Sequence, residues 1–273
     1  MPRSVDPVVT LTTDFGGGDA YVASMKGVIL SRCPRARLVD VTHDLEPGDL
    51  PGAALVVEEA RRWFPAGAVH LVVVDPGVGT GRRALAVRSG GQFLVGPDNG
   101  VLWPAIAADP KPLVHALTRP DLSLKPLSKT FEGRDLFAPA AAYLASGKRI
   151  RSVGPPVHDP VRLGGFASRR RGGRLEGAVL RVDRFGNLVT SVTARDLAEA
   201  FDGVPFPTLD IRVGGRTIDE TAATYGLARP GVPFALMGSG DRLEIAVREA
   251  SAAERLKVGR GAAVTVERRG GRR

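Results

Sequence analysis

Residues 69–75 read Val69-His70-Leu71-Val72-Val73-Val74-Asp75, an apolar run that ends on a carboxylate. Such a run is typical of a strand whose sheet is covered on both faces. Strand-like runs at residues 8–12 and 38–41 precede it, and helix-like segments at residues 19–31 and 50–64 separate the three. This alternation predicts a mostly parallel, helix-covered sheet.

The pattern changes in the last third of the chain. Short strand-like runs alternate there with turns such as Gly214-Gly215 and Gly238-Ser239-Gly240-Asp241, which is typical of a small antiparallel barrel or sandwich. The stretch before them is rich in Pro, Gly and Arg, as in a connection between domains. We therefore predict an α/β fold in three parts. Residues 1–160 form the N-terminal α/β domain, residues 161–174 a linker, and residues 175–273 a C-terminal antiparallel β-barrel domain.

The chain of 273 residues has a formal net charge of +9, which raises the question of nucleic-acid binding. Much of the excess lies in two Arg/Gly-rich stretches, residues 169–174 and 268–273, which we interpret as a solvated linker and a tail. Aromatic residues make up 5% of the chain, which is low for base stacking. We predict no nucleic-acid partner.

Membrane insertion and metal binding are not expected. No stretch approaches the ~18–20 uninterrupted apolar residues of a membrane span, and no apolar signal-peptide region follows the N-terminus. The single Cys33 cannot form an intramolecular disulfide or a thiolate zinc site. The histidines are scattered, and we interpret His43, the one near the predicted crevice, as a structural residue. We predict a soluble cytoplasmic protein without a metal.

Two acidic residues directly follow predicted strands. Asp14 ends the first strand and Asp75 ends the run at residues 69–74. Ligands of parallel α/β sheets bind beyond the carboxyl ends of the strands. A carboxylate there suits a ribose diol, a cationic substrate or a water that must be oriented. Either Asp alone is equally compatible with a turn or a helix cap, but the pair, each followed by a Gly-rich loop, favours a binding site.

The two Gly-rich loops do not match common phosphate-binding motifs. Gly16-Gly17-Gly18-Asp19 ends on an acid that would repel a pyrophosphate and that we expect to cap the next helix. Gly77-Val78-Gly79-Thr80-Gly81-Arg82 lacks the Lys-Ser/Thr ending of a P-loop. Glycines permit close approach of the backbone to a ligand. A nucleoside without phosphates fits these loops better than NAD or ATP.

Short motifs follow one another in a fixed order along nearly the whole chain. They are Thr13-Asp14-Phe15-Gly16, Asp19-Ala20-Tyr21, Met25-Lys26-Gly27, Asp40-Val41-Thr42-His43, residues 74–80, Pro97-Asp98-Asn99-Gly100, residues 130–139, Asp183-Arg184-Phe185-Gly186-Asn187, and Gly238-Ser239 leading to residues 243–247. This series resembles the S-adenosyl-L-methionine (SAM) hydroxide adenosyltransferases, or SAM hydrolases, relatives of the SAM-dependent fluorinase and chlorinase.

The resemblance implies a homotrimer that acts on SAM without a cofactor. SAM would lie between the N-terminal domain of one subunit and the C-terminal barrel of its neighbour. Asp14 would hold the ribose hydroxyls. Asp19, Asp183 and Ser239 would hold the ammonium and carboxylate of the methionine part.

Adenine recognition is implied for a second set of residues. Asn187 and the backbone around Glu249 would read the base, and Tyr225 would stack on it. Thr80 and Gly133 complete the implied substrate-binding set.

The implied reaction is displacement at the ribose 5′ carbon, with water or hydroxide attacking and methionine leaving. The main demands are positioning and desolvation of one water, because the sulfonium leaves as a neutral group. Family members orient that water with an Asp, an Arg and a His, of which the first two correspond to Asp75 and Arg82. Glu132 occupies the His position, and ionised Glu only accepts hydrogen bonds. A second departure is Arg248, where relatives usually have Asn.

SAM hydrolysis to adenosine and L-methionine is the function we predict. The alternative is a protein that binds SAM or adenosine without turning it over, if Glu132 does not replace the His. Halogenation is a third candidate, but halogenases resemble this chain with uncharged residues, Tyr among them, where Asp75 and Glu132 stand. Two carboxylates in a dry pocket would repel a halide unless Arg82 compensates.

Overall fold

The computed structural model describes residues 6–270, which fall into two compact units. The first unit extends to Leu163 and the second begins at Gly164. The three-part division at residues 160 and 174 stays a prediction.

The first unit is built on a six-stranded sheet in the order β2-β1-β3-β5-β4-β6. β1 is parallel to β2 and β3, β3 is parallel to β5, and β4 is antiparallel to both of its neighbours. The predicted mostly parallel sheet is confirmed. The strands are β1 (Val8–Thr13), β2 (Arg37–Thr42), β3 (Val69–Val73), β4 (Ala84–Ser89), β5 (Gln92–Pro97) and β6 (Leu113–Ala116).

Helices connect and cover these strands: α1 (Tyr21–Arg32), α2 (Leu50–Arg61), α3 (Trp103–Ala108) and α4 (Ala138–Ala145). A π-helical turn, Gly133–Phe137, leads into α4. The predicted N-cap at Asp19 is wrong, because α1 begins at Tyr21 and its N-cap, Ala20, makes no side-chain capping bond. The Asp19 carboxylate is therefore not used by the helix backbone.

The core of the first unit explains why β3 carries no polar alternation. All five β3 residues are buried, and Leu71 packs in one cluster with Leu11, Met25 and Phe137. Even His70 is only 2% exposed, and its Nδ1 lies 2.8 Å from Thr10 Oγ1. Burial lowers the pKa of His70 to about 4 and outweighs the opposing influence of the nearby Gln92 side chain.

The second unit is mostly antiparallel and nearly closed, as predicted for the barrel. Its strands follow the order β11-β10-β15-β8-β9-β14-β13-β12, and β7 pairs with β8. Among the strands described within residues 164–270, β12 and β13 form the one parallel pair. The strands are β7 (Arg169–Arg171), β8 (Arg174–Val182), β9 (Leu188–Thr193), β10 (Leu209–Val213), β11 (Arg216–Ile218), β12 (Glu220–Thr221), β13 (Pro233–Met237), β14 (Arg242–Val247) and β15 (Ala263–Arg268). Two short helices, α5 (Ala194–Ala200) and α6 (Ala252–Leu256), accompany them.

Part of the predicted linker is a β-hairpin. Arg171 pairs with Arg174 across Gly172 and Gly173, whose φ angles are +54° and +80°. Two consecutive residues with positive φ form the tight turn that matches the twist of a hairpin. The turn chemistry was visible in the sequence, but the flanking arginines concealed the strand. Among residues 6–270, no helix has the length and apolar character required to cross a membrane.

Candidate active site

Asp14 and Asp75 lie at the same edge of the first sheet. Asp14 directly follows β1, and Asp75 lies two residues beyond the end of β3. The two strands are adjacent and parallel, with Thr13 opposite Val73. The loop that contains Gly48 lies against both Asp14 and Pro76, the residue that follows Asp75. The Gly48 N–H donates to Asp14 Oδ2 at 2.8 Å, and a Cβ on Gly48 would lie 3.8 Å from the Cβ of Pro76.

Asp75, Arg82 and Glu132 form a connected charged group. Arg82 Nε lies 3.0 Å from both Asp75 carboxylate oxygens, and Nη2 also contacts Asp75 Oδ2. The same Nη2 donates to Glu132 Oε2 at 2.5 Å. The side chains are only 5%, 11% and 14% exposed for Asp75, Arg82 and Glu132. The structure therefore brings the three predicted catalytic residues together.

Two effects oppose each other at the Arg82 guanidinium. Burial lowers its pKa, but the hydrogen bonds and charges of Asp75 and Glu132 outweigh burial, so the pKa of Arg82 is raised. Arg82 also lies over Phe137, with its Cζ 5.2 Å from the ring centroid. A permanent cation between two carboxylates leaves one net negative charge, which suits a cationic substrate and a water that donates hydrogen bonds.

The loop between Asp75 and Arg82 is held by its own hydrogen bonds. The Gly77 N–H donates to Asp75 Oδ1 at 3.2 Å, and the Thr80 hydroxyl donates to the Gly77 carbonyl at 2.7 Å. Gly79 has a φ of +77°, and a Cβ there would lie 2.6 Å from the Lys129 carbonyl oxygen. Glycine is required at this position for both reasons. Thr80 is exposed and orders this loop.

Glu132 is positioned by the π-helical turn that follows it. Gly133 is buried, and a Cβ there would lie 3.3 Å from both Met25 Sδ and Phe131 Cε2. Asp135, 1% exposed, anchors the turn by accepting the Ser128 N–H at 2.9 Å. The ion pair with Arg134 lowers the pKa of Asp135 despite its burial. Asp135 thus has a structural role beside the charged group.

Three aromatic residues, Phe15, Tyr21 and Phe131, lie close to Asp14 or Glu132 in the sequence and contact one another. Phe15 follows Asp14, Phe131 precedes Glu132, and Tyr21 contacts both rings, with centroids 5.6 Å from Phe15 and 5.0 Å from Phe131. All three occur in the motifs of the sequence, but no role was predicted for them. These side chains form an apolar surface that would exclude water from a ligand bound at the edge of the sheet where Asp14 lies.

A hydrogen-bonded chain fixes the residue before Asp14. His43 Nδ1 lies 2.8 Å from Thr13 Oγ1, and its Nε2 lies 3.0 Å from Asp40 Oδ1. Lys26 Nζ donates to Asp40 Oδ2 at 2.6 Å. Burial raises the pKa of Asp40, but the bonds with Lys26 and His43 outweigh it, so the pKa is lowered. These contacts agree with a structural role for His43, which stays a prediction.

In the second unit, Asp183 and Asn187 form a closed turn. Asp183 Oδ1 accepts the N–H groups of Phe185 and Asn187, both at 2.8 Å. Its Oδ2 accepts Asn187 Nδ2 at 2.9 Å. Asn187 is 6% exposed, whereas Asp183 is half-buried. The Asp183 carboxylate is thus rigidly held while part of it faces solvent.

Tyr225 and Glu244 form a hydrogen-bonded pair close enough to Asp183 for its charge to act on Tyr225. The Tyr225 hydroxyl donates to Glu244 Oε2 at 2.7 Å, and Glu244 is 8% exposed. Burial, Glu244 and the charge of Asp183 together raise the pKa of Tyr225. Glu244 also packs against Gly238, next to the predicted site residue Ser239. No binding role was predicted for Glu244, because in the sequence it lies within the strand-like run at residues 242–247.

Ser239 and Glu249 are exposed. Glu249 adopts a φ of +65°, and its carboxylate pairs with Arg248 Nε at 3.3 Å. Arg248 Nη1 donates to the carbonyl of Gly226 at 3.3 Å, next to Tyr225. Arg248 therefore supports the Tyr225 turn.

The chain is similar to proteins of one family along most of its length. The model of the SAM hydroxide adenosyltransferase N-terminal domain matches residues 9–154, and that of the C-terminal domain matches residues 177–265. A Thermus thermophilus protein named (R)-S-adenosyl-L-methionine hydrolase is 41% identical over 262 residues, covering 93% of this chain and 96% of that protein. A fluorinase of Actinoplanes sp. is 28% identical over 236 residues, covering 76% and 78%. The crystal structure of a conserved protein from Thermotoga maritima, 32% identical, matches with a TM-score of 0.85 and covers 96% of this chain and 100% of that one.

Proposed function

Because the chain belongs to the SAM hydroxide adenosyltransferase family, we propose that it is an enzyme that hydrolyses SAM to adenosine and L-methionine. Its similarity to a named (R)-S-adenosyl-L-methionine hydrolase extends over nearly the whole of both chains. The observation that carries the proposal is the largely buried guanidinium of Arg82 between the carboxylates of Asp75 and Glu132.

The reaction is an in-line displacement at the ribose 5′ carbon. The oxygen of water forms a bond to C5′ while the C5′–S bond breaks and its electron pair stays on sulfur. Methionine leaves as a neutral thioether, so no acid and no cofactor are required. The attacking water loses one proton, which a carboxylate of Asp75 or Glu132 accepts. Arg82 holds both carboxylates in place.

The charge of this group favours water over a halide. Two carboxylates and one guanidinium leave an excess negative charge that repels fluoride or chloride in a site shielded from solvent. The same charge attracts the sulfonium of SAM. The relationship to fluorinases therefore extends to the fold and the substrate rather than to the nucleophile.

Carboxylates of both units supply most of the proposed contacts with the ribose and methionine parts of SAM. In this proposal Asp14 binds the ribose diol, and Asp19, Asp183 and Ser239 bind the methionine ammonium and carboxylate. Asp19 is supported by its exposed carboxylate, which no helix cap occupies. Asp183 is supported by its rigid, partly exposed carboxylate.

The adenine contacts complete this arrangement. Asn187 and the backbone at Glu249 read the base, Tyr225 stacks on it, and Thr80 and Gly133 line the ribose side. In this proposal the enzyme is a homotrimer, as the family resemblance implies, and its sites combine residues of one subunit's first unit with residues of its neighbour's second unit. We place this enzyme in the cytoplasm.

A non-catalytic SAM- or adenosine-binding protein is the second candidate. The observation that favours it is that Arg82 is occupied by two carboxylates, with Glu132 at the position of the family's His. Such a protein would retain the binding residues and lack turnover.

Incubation of the purified protein with SAM separates these candidates. Adenosine and methionine are followed by chromatography, with Asp75→Asn as the catalytic control. Equimolar products from the wild type and a large loss in the variant are expected. Binding of SAM without adenosine above the buffer control would establish the non-catalytic candidate, and chloride-dependent 5′-chloro-5′-deoxyadenosine would establish a halogenase.

A further inference from the structure

A groove opens at the amino ends of the parallel strands, at the opposite edge of the first sheet from Asp14 and Asp75. Gly67 and Gly91, which line it, lead into β3 and β5. Its volume is about 510 Å³, within the range of roughly 300–1,000 Å³ of small-molecule sites. We call it the basic groove, after its principal lining residues: Arg88, Phe93, Leu113, Lys148, Arg149 and Arg151.

The floor of the basic groove is one row of side chains across three strands. Arg88 of β4 is opposite Phe93 of β5 on one side and Leu113 of β6 on the other. Directly opposed residues project from the same face of a sheet. Phe93 and Leu113 pack on the core and are partly exposed. The floor therefore combines an aromatic ring and an aliphatic side chain with a guanidinium between them.

The rim of the basic groove is cationic. Lys148, Arg149 and Arg151 follow α4 and are exposed, and none of the ion pairs found among residues 6–270 involves them. Asp109 is an acidic group whose charge interacts with Arg88, and its carboxylate accepts two backbone N–H groups at 2.8 Å. The described residues that line the groove include Arg88, Lys148, Arg149 and Arg151 and no carboxylate, so positive charge predominates over an apolar floor.

We propose that the basic groove binds an organic phosphate that carries a flat ring, of the size of a nucleoside polyphosphate. Guanidinium groups match phosphate oxygens in a bidentate geometry, and the lysine adds a mobile charge. The ring of Phe93 offers a surface on which a base stacks. The site is separate from the proposed SAM site, whose carboxylates at the other edge of the sheet would repel a polyphosphate.

ATP is the probe, titrated by calorimetry into the wild-type protein and into Asp14→Ala, which removes a carboxylate of the proposed SAM site. Unchanged ATP affinity is expected in Asp14→Ala, because the basic groove lies at the other edge of the sheet. The triple variant K148Q/R149Q/R151Q should bind ATP at least about tenfold more weakly. The matched control R169Q/R170Q/R171Q removes the same charge from the exposed β7 of the second unit and should bind within about twofold of wild type. SAM turnover by both triple variants, expected unchanged, reports that they are folded.

A second arm tests the ring. Phe93→Leu keeps an apolar side chain on the core but removes the aromatic face. It should weaken ATP binding several-fold and leave the weaker binding of inorganic tripolyphosphate unchanged. Weaker ATP binding by Asp14→Ala, equal losses in the two triple variants, or tripolyphosphate binding as tightly as ATP would each overturn the proposal.

Discussion

Arg82 donates from Nε to both carboxylate oxygens of Asp75 at 3.0 Å while its Nη2 donates to Glu132. One planar cation thus fixes two carboxylates that come from different parts of the chain. A guanidinium holds such a geometry because its donors lie in a rigid fork, whereas an ammonium is a point charge on a flexible stem. The relative orientation of the two proposed bases therefore depends on Arg82.

Arg82→Lys should preserve the charge but lose this orientation. Misplacement of the attacking water by about 1 Å is expected to lower kcat about 100-fold, measured as adenosine formed per unit time. Arg83→Lys is the matched control, because Arg83 pairs instead with Asp98 and Asp159. A comparable loss of kcat in both variants would argue against a specific role for Arg82.

Glu132→Gln should lower turnover while SAM still binds. The amide keeps the size of the side chain but cannot accept the proton of the attacking water, so a loss of about 100-fold in kcat is expected. Affinity for SAM, measured by calorimetry, should change by no more than about threefold. Glu132→His, which introduces the residue that the family resemblance implies at this position, should retain activity because neutral His also accepts a proton. An unchanged rate in Glu132→Gln would remove Glu132 from the mechanism.

Gly79→Ala should displace the loop that connects Asp75 and Arg82. The φ of +77° and the Lys129 carbonyl, 2.6 Å from the added Cβ, leave no place for the methyl group. A loss of about 1–3 kcal/mol in the free energy of unfolding is expected, together with lower kcat, from urea denaturation and adenosine formation.

Gly81→Ala is the control for this loop. No atom lies within 4 Å of a Cβ at Gly81, so stability and turnover should both stay near wild type. If Gly81→Ala were as damaging as Gly79→Ala, the effect would reflect loop flexibility rather than the close approach to Lys129.

Buried His70 should make the protein less stable in acid. Its pKa is lowered from 6.5 to about 4 in the folded protein, so the unfolded chain binds a proton that the folded protein excludes between these values. The stability associated with neutral His70 is present above pH 6.5 and is lost as the pH falls toward 4. The full loss is roughly 3 kcal/mol.

Urea denaturation of the wild type and of His70→Gln over this pH window measures the effect. Gln keeps a hydrogen-bonding group near Thr10 but does not titrate, so its stability should depend less steeply on pH. Parallel pH profiles for the two proteins would contradict the assignment.

Much of the fold was predictable because its signals are local. The run at residues 69–74 lacks polar alternation, and β3 is buried on both faces as that pattern predicts. The strand–helix alternation predicted a mostly parallel sheet, and the pairing of β1 with β3 places Asp14 and Asp75 beyond the ends of neighbouring strands. The N-cap at Asp19 failed because α1 begins two residues later, at Tyr21.

The amino-acid sequence alone determined the alternation of elements, the positions of the acids after the strands and the family motifs, since each depends on residues close together in the chain. The tertiary structure decided which of these groups meet. Arg82 and Glu132 are 50 residues apart in the chain and share a hydrogen bond, and Tyr225 and Glu244, 19 residues apart, share another. Local periodicity cannot specify such pairs, because the partner of a side chain depends on which strands and turns become neighbours when the core forms.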